Sequence, residues 1–223
     1  MFFNDNKQLF ENFTNKIIHI IVDDLPYKYH NVNIDHKNVW NNEYFQRNAI
    51  SRGINYIKEL AQTDLIIISD LDEIPDPNTL ETIKKGDIIV NINILEMDMY
   101  YYNLNTYLGK WYFAKILPYN ILKNSQLLIN DIRNINTSRS LIFAGWHLSY
   151  FADIATIQNK ILNFSHQEFN SDTYTNLDAI AFRKNNQCDL FNRREINITK
   201  ISHNDNKYLP YKYNDFLIKY IEY

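Results

Sequence analysis

Cysteine is all but missing. Cys188 stands alone, so no intrachain disulfide can form and a disulfide-stapled extracellular fold is excluded. Folding in a reducing, cytosolic setting is therefore permitted. Glycine is scarce too, four in 223 residues, alongside abundant Asn, Ile, Lys and Tyr that read as the imprint of an AT-rich coding sequence; single Asn residues carry little weight as signals. There is no basic excess. A formal net charge of -3 provides no positive field, so nucleic acid is not an expected partner. Met1-Phe2-Phe3 leads into Asn4, Asp5, Asn6 and Lys7, without a secretory apolar core or a run of about 20 apolar residues, so neither signal peptide nor membrane segment is expected. What remains is globular. With 45% hydrophobic and 15% aromatic residues, the chain has enough apolar material for one buried core, and a single domain over residues 1–223 is expected.

Lys16 to Asp24 (KIIHIIVDD) is a short β-branched run ending in acids, as expected of a strand buried on both faces of a parallel sheet. After a loop from Tyr27 to Asn38, Asn41-Asn42-Glu43 can start a helix, with Phe45, Ala49, Ile50, Ile54 and Ile57 at helical spacing. Asp64 to Asp70 (DLIIISD) reads as a second buried strand. Strand, helix, strand in that order suggests a right-handed crossover and a Rossmann-type α/β fold with a mainly parallel central sheet, ligands binding beyond the strands' carboxyl ends. A short helix is expected over Asn78 to Lys84, a third strand over Ile88 to Ile94, extended aromatic chain over Met97 to Tyr119, and a turn at Gly145. Two more helices are expected, one around Ile154, Ile157, Ile161 and Leu162 and one over Tyr174 to Phe182. The aromatic density around Tyr100 to Trp111 fits either core packing or a platform for sugar rings.

The sharpest feature is Ser69-Asp70-Leu71-Asp72-Glu73-Ile74-Pro75, three carboxylates at the mouth of a buried strand. Their repulsion is costly unless a cation or a basic group offsets it, and a metal is the economical explanation. Carboxylates suit hard ions such as Mn2+ or Mg2+, which typically bridge protein to diphosphate oxygens. The competing reading is structural: the acids cap a helix beginning near Pro75. Arg47, Asn48 and Arg52, one crossover upstream, are candidates for contacts to a phosphorylated donor, since Arg suits phosphate. His147 is a candidate further metal ligand, and Glu168, beside His166, a candidate general base; Asp98 is another base candidate.

The stretches KIIHIIVDD, NEYFQRNAISRG, SDLDEIPDP, MYYYNLN, AGWHLSYF and KILNFSHQEF, running in order from about Phe3 to Phe191, resemble glycosyltransferase family seventeen, the β-1,4-mannosyl-glycoprotein 4-β-N-acetylglucosaminyltransferases. The resemblance implies a GT-A-like fold, a nucleotide-sugar donor, a glycan or glycoprotein acceptor, manganese dependence and inversion at the anomeric carbon. By it, Asp70 and Asp72 become the metal and diphosphate site, Glu73 a catalytic neighbour, and Trp146 and His147 part of the donor or acceptor pocket. The family pattern has a first strand and a glycine-containing loop ahead of the stretch resembling FFNDNKQLFENF, whereas this sequence starts within the pattern. A shortened donor pocket, weakened donor binding and an open sheet edge that could pair with a second copy are the corresponding expectations. Two other readings stand beside transfer: a non-catalytic glycan-binding or assembly protein, and a metal-dependent phosphohydrolase or nuclease using the same acids.

Overall fold

The computed structural model describes residues 2–27 and 36–221. Most of the loop expected after Tyr27 lies outside the described residues. The chain divides into two compact units, Met1–Leu60 and Ala61–Tyr223.

The first unit is helical. A 3-10 helix spans Lys7–Lys16, and α-helices span His36–Asn48 and Ile50–Ile54. The run Ile17 to Asp24 forms no strand, and Ile18 and Ile21 are exposed, so the expectation of a doubly buried strand is overturned. A β-branched run becomes a strand only where a neighbouring strand offers its N–H and C=O groups.

The second unit holds a seven-stranded sheet: β1 (Leu65–Ile68), β2 (Glu73–Pro75), β3 (Asn93–Tyr101), β4 (Thr106–Trp111), β5 (Lys115–Pro118), β6 (Ser140–Ser149) and β7 (Thr199–Lys200). The mainly parallel sheet expected from the sequence is contradicted. β1 with β5, β2 with β6, β3 with β4, β3 with β5 and β4 with β7 are all antiparallel; only β3 and β6 run parallel. Apolar runs covered on both faces look alike in either arrangement. What decides is the connection: β3 turns into β4 through Tyr102 to Asn105, too short for a crossover, whereas the parallel partners β3 and β6 are joined by a long path through β4, β5 and helices Tyr119–Asn124 and Ile129–Asn134.

β4 and β5 are successive antiparallel partners along one edge of β3, interrupted at 112–114. The chain leaves the sheet there, exposing Tyr112 and Phe113. β6 runs past Gly145 as one strand where a turn is expected, with a bulge against β3 between Leu141 and Gly145. The glycine instead permits a close approach: its φ is +152°, and a Cβ on it would lie 2.2 Å from the Ile74 carbonyl oxygen of β2. The third expected strand starts five residues late, at Asn93. Helices Pro77–Lys84 and Ile154–Asn163 form near where the spacing places them, and the last expected helix is split into Asp172–Thr175 and Leu177–Asn185. Among the described residues, no helix is long and apolar enough to cross a membrane.

Candidate active site

β1 carries the chain outward and β2 brings it back, so Asp70, Leu71 and Asp72 form a tight turn at the sheet's rim. The Glu73 amide donates to the Asp70 carbonyl (3.1 Å), and the Leu148 amide of β6 donates to the Asp72 carbonyl (2.8 Å). Leu71, at the tip, is fully exposed. The capping task belongs to Asp76, whose Oδ1 accepts from the Asn78 amide at 2.9 Å ahead of helix Pro77–Lys84. Asp70, Asp72 and Glu73 are thus left for other work.

Glu73 has a fully buried side chain and answers to Arg133, itself 3% exposed, on helix Ile129–Asn134. Arg133 grips it through both terminal nitrogens, Nη1 donating to Oε2 at 2.8 Å. Trp111 Nε1 donates to Oε1 at 2.6 Å and the Asp70 amide to Oε2 at 3.0 Å. Burial disfavours the charge, but the Arg133 guanidinium outweighs it with help from the amide and indole, holding the carboxyl below its ordinary range. With its oxygens filled by four donors, Glu73 anchors the turn rather than offering a free base.

Asp70 and Asp72 differ from it. Their side chains are 43% and 30% exposed. Arg133 Nη2 donates to Asp70 Oδ2 at 2.6 Å. Asp72 Oδ2 accepts from Lys160 Nζ at 3.0 Å, and its Oδ1 lies 3.5 Å from His147 Nε2. Burial opposes the Asp72 charge, and His147 and Lys160 more than compensate, keeping this carboxyl far below its usual range. His147 is buried with its ring 4.3 Å from that of Trp111, and its Nδ1 has no hydrogen-bond partner. Asp70, Asp72, Glu73 and His147 are therefore brought together.

Trp146 and Asp98 are not. Strand pairing aligns Glu73 with His147 and Ile74 with Trp146, and Trp146 in turn with Asp98. Because side chains alternate between faces, Trp146 and Asp98 lie on the opposite face from the acids. There Trp146 is buried, stacked on Tyr208 at 4.7 Å and donating to its carbonyl, while Asp98 accepts from Lys110 Nζ at 2.6 Å. Glu168 pairs with His166 Nδ1 at 2.7 Å in an exposed 3-10 turn, Gln167–Phe169. Arg47, Asn48 and Arg52 belong to the first unit, where Arg47 donates to Glu43 (2.8 Å) and Arg52 grips Asp24 through two bonds (2.9 and 2.8 Å). The aromatic segment also divides. Tyr100, Tyr101 and Tyr102 are core, Trp111 holds Glu73, and the exposed rings are Tyr112 and Phe113 just beyond, Phe113 packing against Trp111 at 4.8 Å.

Arg133 and Lys160 were not singled out from sequence. Arg133 lies 60 residues from Glu73 in a short helix without a motif. Lys160 had a faint signal: it stands three residues after Ile157 and beside Ile161, on the margin of the buried stripe of its helix.

Lys115 completes the surroundings. It is 2% exposed, and its Nζ donates to the carbonyls of Tyr112 (2.7 Å) and Phe113 (3.1 Å) where the strand is interrupted. Burial, reinforced by Arg133, pulls this ammonium down to about 8. Below that pH the group is charged in both folded and unfolded chains. Between about 8 and 10.4 the unfolded chain keeps a proton that the fold has lost, so stability should rise with pH. Buried Tyr102 and Tyr150, raised by burial, oppose this only above about pH 10. Denaturation midpoints should therefore climb from about pH 8 to 9.5 and stay flat in Lys115→Met; a climb that persists in the variant assigns the effect to another group.

The family model for glycosyltransferase family 17 matches residues 1–192. No curated protein and no solved structure matches the chain. The acid turn, the β6 segment beside it and the helix carrying Lys160 all fall within the matched residues, and the chain belongs to glycosyltransferase family 17.

Proposed function

We propose that this glycosyltransferase moves a sugar from a nucleotide-diphosphate donor to a glycan hydroxyl, with Mn2+ or Mg2+ held by Asp70 and Asp72. UDP-N-acetylglucosamine is the donor implied by the resemblance to family seventeen. The observation that carries the reading is the division of labour in the turn: Glu73 is buried and saturated, while Asp70 and Asp72 stay half-open at the rim. Among the described residues, no three His, Cys, Asp or Glu side chains are grouped to hold a metal by themselves. Two carboxylates nonetheless fit the expected ions, which take one or two from protein and fill the remaining positions from phosphate oxygens and water. Such an ion offsets negative charge on the leaving diphosphate. Arg133 and Glu73 fix the turn so that the two partly exposed carboxylates keep their spacing, and Tyr112 and Phe113 offer exposed rings to the donor base or the apolar face of a sugar.

A thermal-shift panel of nucleotide sugars with and without Mn2+ tests this. At a hundredfold excess over Kd, a bound donor should add about 2.7 kcal/mol of stability. Asp70→Asn and Asp72→Asn should each abolish the Mn2+-dependent part while leaving the protein folded. A variant that keeps the full shift removes its residue from the metal assignment. A shift with nucleic acid would favour a phosphohydrolase or nuclease, and one with glycan but no nucleotide would favour a binding protein.

A further inference from the structure

Two basic side chains neutralise the acid turn, and they are held very differently. Arg133 is buried and locked by paired hydrogen bonds to Glu73 plus one to Asp70. Lys160 has a side chain 42% exposed and a single hydrogen bond to a carboxylate, Nζ to Asp72 Oδ2 at 3.0 Å. Its ammonium also lies 4.7 Å from the centre of the Tyr150 ring. The backbone beneath is fixed, since Ile157 and Ile161 of helix Ile154–Asn163 are buried in the core. Lys160 can therefore swing on its four-carbon stem without moving the helix.

An ammonium on Asp72 Oδ2 and a divalent cation on the same carboxylate repel each other, and Oδ1 is already faced by His147 Nε2. A cation entering at Asp72 must therefore displace Lys160. The displaced ammonium is a flexible point charge with three donors, suited to phosphate oxygens. Resting on the functional reading above, we propose that Lys160 is a transferable counter-ion: it neutralises Asp72 in the ligand-free protein and passes to the donor's diphosphate when a divalent cation takes Asp72.

Two binding constants, measured by calorimetry on the whole chain, test this without turnover. In Lys160→Met, Mn2+ alone should bind about fivefold more tightly because its competitor is gone, whereas UDP at saturating Mn2+ should bind about tenfold more weakly because a phosphate contact is lost. Lys160→Arg should restore most of the UDP affinity. Lys160→Gln provides a second neutral variant, and melting curves establish that each is folded. Opposite movement of the two constants is the signature, which a purely structural ion pair cannot produce. Unchanged constants, movement in the same direction, or tighter Mn2+ binding with unchanged UDP binding would each overturn the transfer. Wild-type protein that binds neither Mn2+ nor UDP would overturn the functional reading along with it; wild-type protein that binds both, beside an unresponsive Lys160→Met, would overturn this inference alone.

Discussion

Replacing Arg133 with methionine is expected to cost about 3 to 5 kcal/mol of folding stability, the largest loss anticipated for a single side chain in this protein. The reason is what it leaves behind. Glu73 has a fully buried side chain, and without the guanidinium it keeps only the Trp111 indole and the Asp70 amide as donors. A carboxylate in that position must either stay charged without a counter-ion or take up a proton. Glu73→Gln in the Arg133→Met background should recover part of the loss, because the second substitution removes the uncompensated charge. Urea unfolding of the two single variants and the double variant measures both effects. An Arg133→Met variant within about 1 kcal/mol of wild type would mean that the pair does not hold the turn.

Gly145→Ala is expected to cost more than about 3 kcal/mol and to disable the site as well. Its φ of +152° lies where side-chain-bearing residues rarely sit, and the added Cβ would meet the Ile74 carbonyl oxygen at 2.2 Å and the Pro75 Cα at 3.0 Å. Relief requires β2 to move away from β6. That pairing is only three residues long and aligns Glu73 with His147, so the acid turn would move with it. Gly86→Ala provides the control: its φ is also positive, at +83°, but nothing lies within 4 Å of the new Cβ, and the cost should be about 1 kcal/mol. Equal costs at the two positions would show that the close approach to β2 contributes nothing.

The acid turn could be read from the chain because its signal is local. Asp70, Asp72 and Glu73 follow an apolar run and precede Pro75, and the pattern is complete within six residues. Helices Pro77–Lys84 and Ile154–Asn163 were legible for the same reason, one from its flanking proline and the other from the spacing of Ile154, Ile157 and Ile161. The roles within the turn were not legible. Glu73 and Asp72 are neighbours of one chemical class, yet one is saturated by Arg133 and Trp111 while the other meets Lys160 and His147. Trp146 and His147 looked like one motif, but adjacent strand residues point to opposite faces, and only the pairing with β2 shows which face carries the acids.

Residue order alone therefore determined that an acid-bearing turn follows an apolar strand, though that strand proves to be an edge strand with only Ile68 buried, that no disulfide supports it, and that its surroundings resemble a family of sugar transferases. Tertiary structure decided the direction of the strands, the burial of Glu73, the counter-ions Arg133 and Lys160, and the separation of Asp98 and Trp146 from the site. The physical reason is range. Periodicity, turn chemistry and apolar runs act over a few residues, whereas strand pairing and charge compensation join positions as far apart as Asp72 and Lys160, whose 88-residue separation has no local trace.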